Sequence, residues 1–341
     1  MNYRKLARKV TNDVKTDSID FDNKLKFPNI CLIANIWHGG TLMSLLYRGK
    51  TKDVFERPDG NLEFHFKDDA TGYMADGKPI FNSGYDKVVG QIPGKGRISC
   101  QFTKFFFELF EKQSIPTDFV ECKPKANVMV VKPAKLLGVE NHAKDFKGSD
   151  EIYGLETVIR NEVMGSWWRR YPSQTPGNKL EVVEFYAKGK AGEPDILMVD
   201  DGLVQLGMMN PEEMETTKRR TKQIGSILSA EFLKRGFHLV DGKMEWGRAA
   251  KTGEIILIDD LSPDTFRVCE GFDLDQKGNC RVNKQCIMTD YRQTSKFVKC
   301  SNCSEFVEVP EDFKRFIEAR NVLSADPAGL KKLAEAFKLE I

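Results

Sequence analysis

The chain has 341 residues, room enough for two domains, and its 40% hydrophobic and 30% charged residues exclude a disordered protein. With 52 basic and 50 acidic residues the formal charge is only +2, so bulk charge points to no nucleic-acid or membrane partner and any anion site must be built locally. No window approaches the roughly 18 consecutive apolar residues of a membrane span, and Met1 to Lys15 lacks the apolar core of a signal peptide.

Those absences set an expectation of a cytoplasmic protein whose eight cysteines are thiols or metal ligands rather than disulfides. The N-terminal 1–41 region reads as an extension with one helix at Tyr3–Lys15. Leu45–Phe55 and Leu62–Phe66 read as two strands. In the second, Leu62, Phe64 and Phe66 alternate with Glu63, His65 and Lys67, the period of a half-buried strand. Arg57-Pro-Asp-Gly60 between them carries a proline that presets one turn dihedral and a glycine that accepts positive φ. Lys50 and Lys52 are two apart, so on one strand both ammoniums share a face. The plain reading is solvated strand charge; the functional one is two point charges on a triphosphate.

Gly94-Lys95-Gly96 precedes a helix expected to begin near Ser99. A glycine turn opening a helix can offer backbone amides to an anion, although the spacing is not that of a Walker loop. Asn127–Val131 reads as a buried strand ending at Lys132, and 135–153 as a polar insertion. Asn210-Pro-Glu-Glu213 is a helix start: asparagine cap, proline first, glutamate third. Gly236 stops that helix. Phe237–Gly247 and Glu254–Asp260 form a second hairpin, and Pro310–Ile341 supplies amphipathic helices. Hairpins rather than regular βαβ units make the class α+β with antiparallel sheets.

The second hairpin is the most informative. Lys243 and Glu245 share one face, with Met244 and Trp246 on the other. If Lys243 lies opposite Asp259, then Lys243, Glu245 and Asp259 all share that face, and a one-residue slip separates them. Two such carboxylates can hold a hard cation on nucleotide phosphates. On spacing alone a solvated cross-strand ion pair is the more economical reading. Cys300 and Cys303 have the gap of a zinc knuckle, while Cys280 and Cys286 are more widely spaced; together they are a candidate structural zinc site, with four reduced cysteines as the alternative.

Seven runs in order resemble the phosphoribosylaminoimidazole-succinocarboxamide synthase (SAICAR synthetase) family. They are Leu46-Tyr-Arg-Gly-Lys-Thr-Lys52, Phe66-Lys-Asp-Asp-Ala-Thr71, Gly94-Lys-Gly96 and Val158-Ile-Arg-Asn161. Then come Gly165-Ser166 with Arg169-Arg170, Leu239-Val-Asp-Gly-Lys-Met-Glu-Trp-Gly247, and Asp259-Asp-Leu-Ser-Pro-Asp264 with Arg267. The resemblance implies a fold related to ATP-grasp. It comprises a small antiparallel ATP-covering sheet over 42–131, a larger metal- and substrate-binding domain over 132–270, and a 271–341 segment carrying cysteines and C-terminal helices.

The reaction it implies joins the carboxylate of the imidazole nucleotide CAIR to the amino group of L-aspartate, giving SAICAR, ADP and phosphate in purine biosynthesis. The partners are thus CAIR, L-aspartate and ATP with Mg2+; a homo-oligomer is compatible, and the oligomeric state stays open. By the same resemblance Lys50, Lys52 and Lys132 contact ATP, with adenine on the backbone after Lys132. Glu245 and Asp259 serve both nucleotide and metal. Lys243 and Asp241 are catalytic. Gly94, Lys95, Arg160, Ser166, Asp264 and Arg267 meet the substrate, the plain alternative for Arg267 being a structural ion pair with Asp264, and Arg169 or Arg170 is a candidate for the aspartate carboxylates. The family pattern usually has an aromatic at Gly242, phenylalanine at Trp246 and glutamate at Asp260. Rival readings are another ATP-dependent carboxylate–amine ligase and a non-catalytic nucleotide-binding protein.

Overall fold

In the computed structural model, residues 35–38, 41–81, 87–137, 154–171, 173–174, 178–188, 195–270, 297–299, 306–308 and 327–340 are described. The chain divides into Met1–Ala34 and Asn35–Ile341, and the expected helix at Tyr3–Lys15 lies outside the described residues. So do the stretch 138–153 and Cys280, Cys286, Cys300 and Cys303.

β1 (Asn35–His38), β2 (Thr41–Arg48), β3 (Lys52–Glu56) and β4 (Leu62–Phe66) form an antiparallel meander. The stretch expected as one strand, Leu45–Phe55, is therefore two. The chain reverses at Gly49-Lys50-Thr51, where the Gly49 N–H donates to Lys52 O at 2.9 Å. Lys50 falls in that turn and Lys52 starts β3, so the two lysines do not share a strand face. β5 (Asp69–Ala75), β6 (Lys78–Phe81) and β7 (Val88–Gln91) make a three-stranded sheet ordered β6-β5-β7.

α1 (Lys95–Glu111) begins four residues before the expected Ser99. The reason is Asp68, whose carboxylate accepts from the N–H groups of Gly94 (3.0 Å) and Gly96 (2.9 Å). An internal anion thus takes the amides that the glycine turn exposes, and Gly94 supplies the required φ of 83°. β8 (Phe119–Lys123) and β9 (Val128–Val131) complete a six-stranded sheet ordered β1-β2-β3-β4-β9-β8. Cys100 of α1 and Cys122 of β8 are joined as a disulfide, against the expectation of free thiols.

β10 (Ala134–Leu136), which overlaps the start of the expected 135–153 insertion, pairs with β14 (Phe237–Ala249). The remaining elements are β11 (Leu155–Glu162), α2 (Gly165–Arg170), β12 (Lys179–Ala187), β13 (Ile196–Met198), α3 (Asp200–Gln205), α4 (Pro211–Leu233), β14 (Phe237–Ala249), β15 (Ile255–Ile258) and β16 (Phe266–Glu270). A short β17 (Phe297–Lys299) and β18 (Phe306–Glu308) pair with each other, and α5 (Pro327–Phe337) follows. Strands β10-β14-β11-β12-β13 form the larger sheet, with β15 and β16 also on β14.

α4 opens on the expected capping box. The Glu213 N–H donates to Asn210 Oδ1 and the Asn210 N–H to Glu213 Oε2, each at 2.9 Å. Its buried Ile224 and Leu228 belong to one core cluster with Leu155 and Ile159 of β11 and Met244 and Trp246 of β14. In the same layer Thr221 of α4 meets Thr157 of β11 at 3.1 Å. Strand alternation sends the neighbours of those apolar residues to the other face of the sheet. That face carries charge.

Candidate active site

Register assembles the site. Glu156 lies opposite Glu245, Val158 opposite Lys243 and Arg160 opposite Asp241 across β11 and β14. Across β11 and β12, Glu184 lies opposite Val158 and Tyr186 opposite Glu156, while Arg267 of β16 lies opposite Asp241. Paired residues share a face, so four strands present acids and cations together.

At one end, Glu245 Oε1 takes Lys188 Nζ at 2.6 Å and Lys243 Nζ at 3.1 Å, and Lys243 also reaches Glu156 at 3.2 Å. The expected register is off by one: Glu245 pairs with Ile258, which sets Asp259 level with Met244 on the core side. Asp259 nevertheless joins the charged cluster because the strand ends there and its φ is +71°. Its carboxylate meets Lys52 Nζ at 2.6 Å, and Asp260 pairs with the same ammonium. Lys52 itself packs over the rings of Phe64 and Phe66, 5.4 and 5.9 Å away.

Electrostatics follow from this crowding. Burial pushes the Glu245 carboxyl up, but Lys243 and Lys188 outweigh it and hold it well below the usual carboxylate range. Burial and the Glu245 charge push Asp259 up to about 6. Burial opposes the Lys52 and Lys243 charges, yet the surrounding carboxylates leave both ammoniums more firmly protonated than usual.

At the other end, buried Arg160 donates to Glu184 (2.8 Å), Asp241 (2.8 Å), Ser166 Oγ (2.8 Å) and Tyr186 (3.2 Å). Arg170 pairs with Glu184 as well. Arg267 Nε stands 3.5 Å from Asp241 Oδ1, and its buried Nη1 has no hydrogen-bond partner. Arg267 therefore does not pair with Asp264. That aspartate takes Lys95, which is only 2% exposed at the start of α1.

The structure thus brings together Lys52, Lys243, Glu245 and Asp259 in one group and Arg160, Ser166, Asp241 and Arg267 in another. Lys50 is exposed in its turn, and Lys132 is exposed beside a pocket lined by Thr117, Phe119 and Glu254. The residue after Lys132 is Pro133, which has no N–H to offer a base. Sequence reasoning missed Lys188, Glu156, Glu184 and Tyr186. The alternation of β11 and β12 about Arg160 could have found the last three.

Among the described residues no group of three or more metal-binding side chains occurs. Glu245 and Asp259 still fit magnesium, because that ion is commonly held by one or two carboxylates plus substrate phosphates. Among the described residues no helix is long and apolar enough to cross a membrane.

Comparison with known proteins places the chain among relatives of one kind. A phosphoribosylaminoimidazole-succinocarboxamide synthase of Clostridium tetani is 35% identical over 227 residues, 66% of this chain and 92% of the relative. One of Thermococcus kodakarensis is 32% identical over 225 residues, 65% of this chain and 82% of the relative. A solved SAICAR synthetase from structural genomics superposes with a TM-score of 0.52 at 29% identity, over 67% of this chain and 87% of that one. Another, in complex with ADP, gives 0.57 at 24% identity over 85% and 96%, a likeness of fold. The SAICAR synthetase family model matches residues 45–301, and the chain belongs to that family.

Proposed function

We propose that this chain is an ATP-dependent ligase that joins the carboxylate of CAIR to the amino group of L-aspartate, giving SAICAR, ADP and phosphate in purine biosynthesis. The observation that carries the reading is the charged sheet face of a SAICAR synthetase family member, where the lysine–carboxylate group and the arginine group lie along the same strands.

A carboxylate is a poor acyl donor. Phosphorylation by ATP makes it an acyl phosphate, which the aspartate amine attacks with loss of phosphate. Such transfer depends chiefly on alignment and charge neutralisation. Lys52, with Lys50 and Lys132 nearer the surface, would bind the nucleotide. Glu245 and Asp259 would hold Mg2+, which supplies positive charge to the phosphates when bound. Lys243, kept protonated by its carboxylate neighbours, would stabilise charge on the transferring group.

On the substrate side, Arg267 has a buried donor to spend on the 5′-phosphate of CAIR. Arg160 has most of its donors committed, so it would fix Asp241 and Ser166 where they meet the imidazole nucleotide. Lys95, Gly94 and Asp264 would close the same side, and Arg170 beside Tyr186 is the candidate for an aspartate carboxylate.

A coupled assay of ADP release, with CAIR and L-aspartate omitted in turn, tests the assignment. Release should require both. Equal ADP production with a different acid or amine would favour another ligase, and no release under any condition would favour a nucleotide-binding protein.

A further inference from the structure

The run Phe66-Lys-Asp-Asp-Ala-Thr71 stands out in the sequence, yet so far only Asp68 has a task, holding the start of α1. Its neighbour Lys67 directly follows β4, and both its backbone and its side chain go to the turn between β2 and β3. The Lys67 N–H donates to Thr51 O at 2.8 Å, and Lys67 Nζ donates to Gly49 O at 2.6 Å. Those oxygens are the two ends of Gly49-Lys50-Thr51, so one residue grips the turn on either side of Lys50.

The ammonium is fully engaged by this arrangement. It has three N–H donors, and besides Gly49 O it stands 3.2 Å from Asp69 Oδ2 and 3.4 Å from Asp53 Oδ1. Asp69 is fixed in turn by Gln91, at 2.9 Å. Three oxygens face three donors, so Lys67 is a tie within the protein and not a charge held out to a ligand. The turn itself is tight. An added Cβ at Gly49 would stand 2.5 Å from Lys52 O, the same oxygen that accepts the Gly49 N–H. Fixing such a turn before its ligand arrives lowers the ordering cost that binding must otherwise meet. The neighbours divide the work: Lys67 holds this turn, while Asp68 takes the Gly94 and Gly96 amides on the side assigned to CAIR.

We propose that Lys67 is a positioning residue for nucleotide binding: its contacts to Gly49, Thr51, Asp53 and Asp69 clamp the Gly49-Lys50-Thr51 turn and so preset Lys50 and Lys52 to meet the triphosphate. The proposal rests on the reading of those two lysines as nucleotide contacts. Lys67 itself touches no phosphate.

Two substitutions test it. Lys67→Met keeps the length of the side chain but loses its charge and donors, whereas Lys67→Arg keeps both. Hydrogen exchange at the Gly49 amide is measured in free protein, and ADP binding by calorimetry in the presence of Mg2+. Steady-state kinetics give KM for ATP and for CAIR, with circular dichroism and melting curves as folding controls. For Lys67→Met the expected result is faster exchange at Gly49 and about tenfold weaker ADP binding, with a matching rise in KM for ATP. KM for CAIR should stay within about twofold. Lys67→Arg should restore protection at Gly49 and bring ADP affinity to within about threefold of wild type. Wild-type exchange at Gly49 in Lys67→Met would overturn the proposal; if ADP binding still weakened, Lys67 would be a direct phosphate contact. A lower melting temperature with KM for ATP and CAIR rising together would overturn it in favour of a purely structural role. Wild-type protein that binds no ADP would overturn the nucleotide reading of Lys50 and Lys52 instead, leaving the exchange result to decide whether Lys67 clamps the turn.

Discussion

Gly165 opens α2 at a φ of +56°, and an added Cβ would stand 2.9 Å from Arg267 Cζ. The glycine is thus required twice, by its backbone and by the guanidinium laid against it. Gly165→Ala should cost about 1 kcal/mol of stability from the left-handed backbone alone. It should also displace Arg267 and raise KM for CAIR. Arg267→Lys isolates the second effect, since it keeps the charge and loses the planar fork. We expect KM for CAIR to rise about tenfold or more, KM for ATP to stay within about twofold, and the melting temperature to hold. Steady-state kinetics with each substrate varied decide it; a shared rise in both KM values would mean that Arg267 does not face CAIR. Sequence named Arg267 as a substrate residue but offered Asp264 as its structural partner. The actual neighbour, Asp241, was hidden because the β14–β16 pairing shifts register between Leu239 and Asp241.

Elements were legible where local chemistry decides them and illegible where tertiary pairing does. The start of α4 was readable because proline, asparagine and glutamate act within one turn. The hairpin at Gly49-Lys50-Thr51 was not, because apolar residues recur through 45–55 on both sides of it. The strand β15 was readable, but its register was not, and the carboxylate pair met only through the positive φ of Asp259. The α4 cap also yields a test. Arg248 holds the Glu213 carboxyl below its usual range, with the Asn210 N–H adding to it. A carboxyl depressed in the fold contributes fully above its unfolded value, 4.5, and loses that contribution as pH falls through the lower folded value. Glu213→Gln should therefore cost about 1 kcal/mol at neutral pH. That difference from wild type should shrink toward zero as pH drops well below 4.5. Urea denaturation of both proteins across the acid range measures it; a penalty independent of pH would assign the loss to packing.

Across the whole molecule, α1 serves two cores: its Cys100 packs with Phe64, Phe66, Met129 and Val131 of the six-stranded sheet, while its phenylalanines enter the core of the larger sheet. Phe102 and Phe106 of that helix lie in the same cluster as Phe232 of α4 and Phe266 of β16. Phe266 also covers Gly242, 3.3 Å from where a Cβ would stand. The last wall of this core comes from α5, beyond the 45–301 stretch that matches the family. Leu330, Leu333, Ala334 and Phe337 are buried at the spacing of one helical face. The Phe337 ring lies 4.7 Å from Phe102 and 5.4 Å from Phe232, with Arg235 4.0 Å above it. Gln101 and Glu340 exchange hydrogen bonds of 2.8 and 2.9 Å just past it. The amphipathic pattern of this helix was visible in sequence; its partners, more than two hundred residues earlier in α1, were not. Phe337→Ala removes an aromatic ring from a site with little room to collapse and should cost about 3–5 kcal/mol. The loss should appear as a lower denaturation midpoint with an unchanged slope. Below the melting range KM for CAIR and ATP should stay within about twofold, because the residue supports α1 from the core and not the charged sheet face. A midpoint close to wild type would mean that α5 does not close the core; a selective rise in KM would mean that it acts on the site through α1 and Lys95.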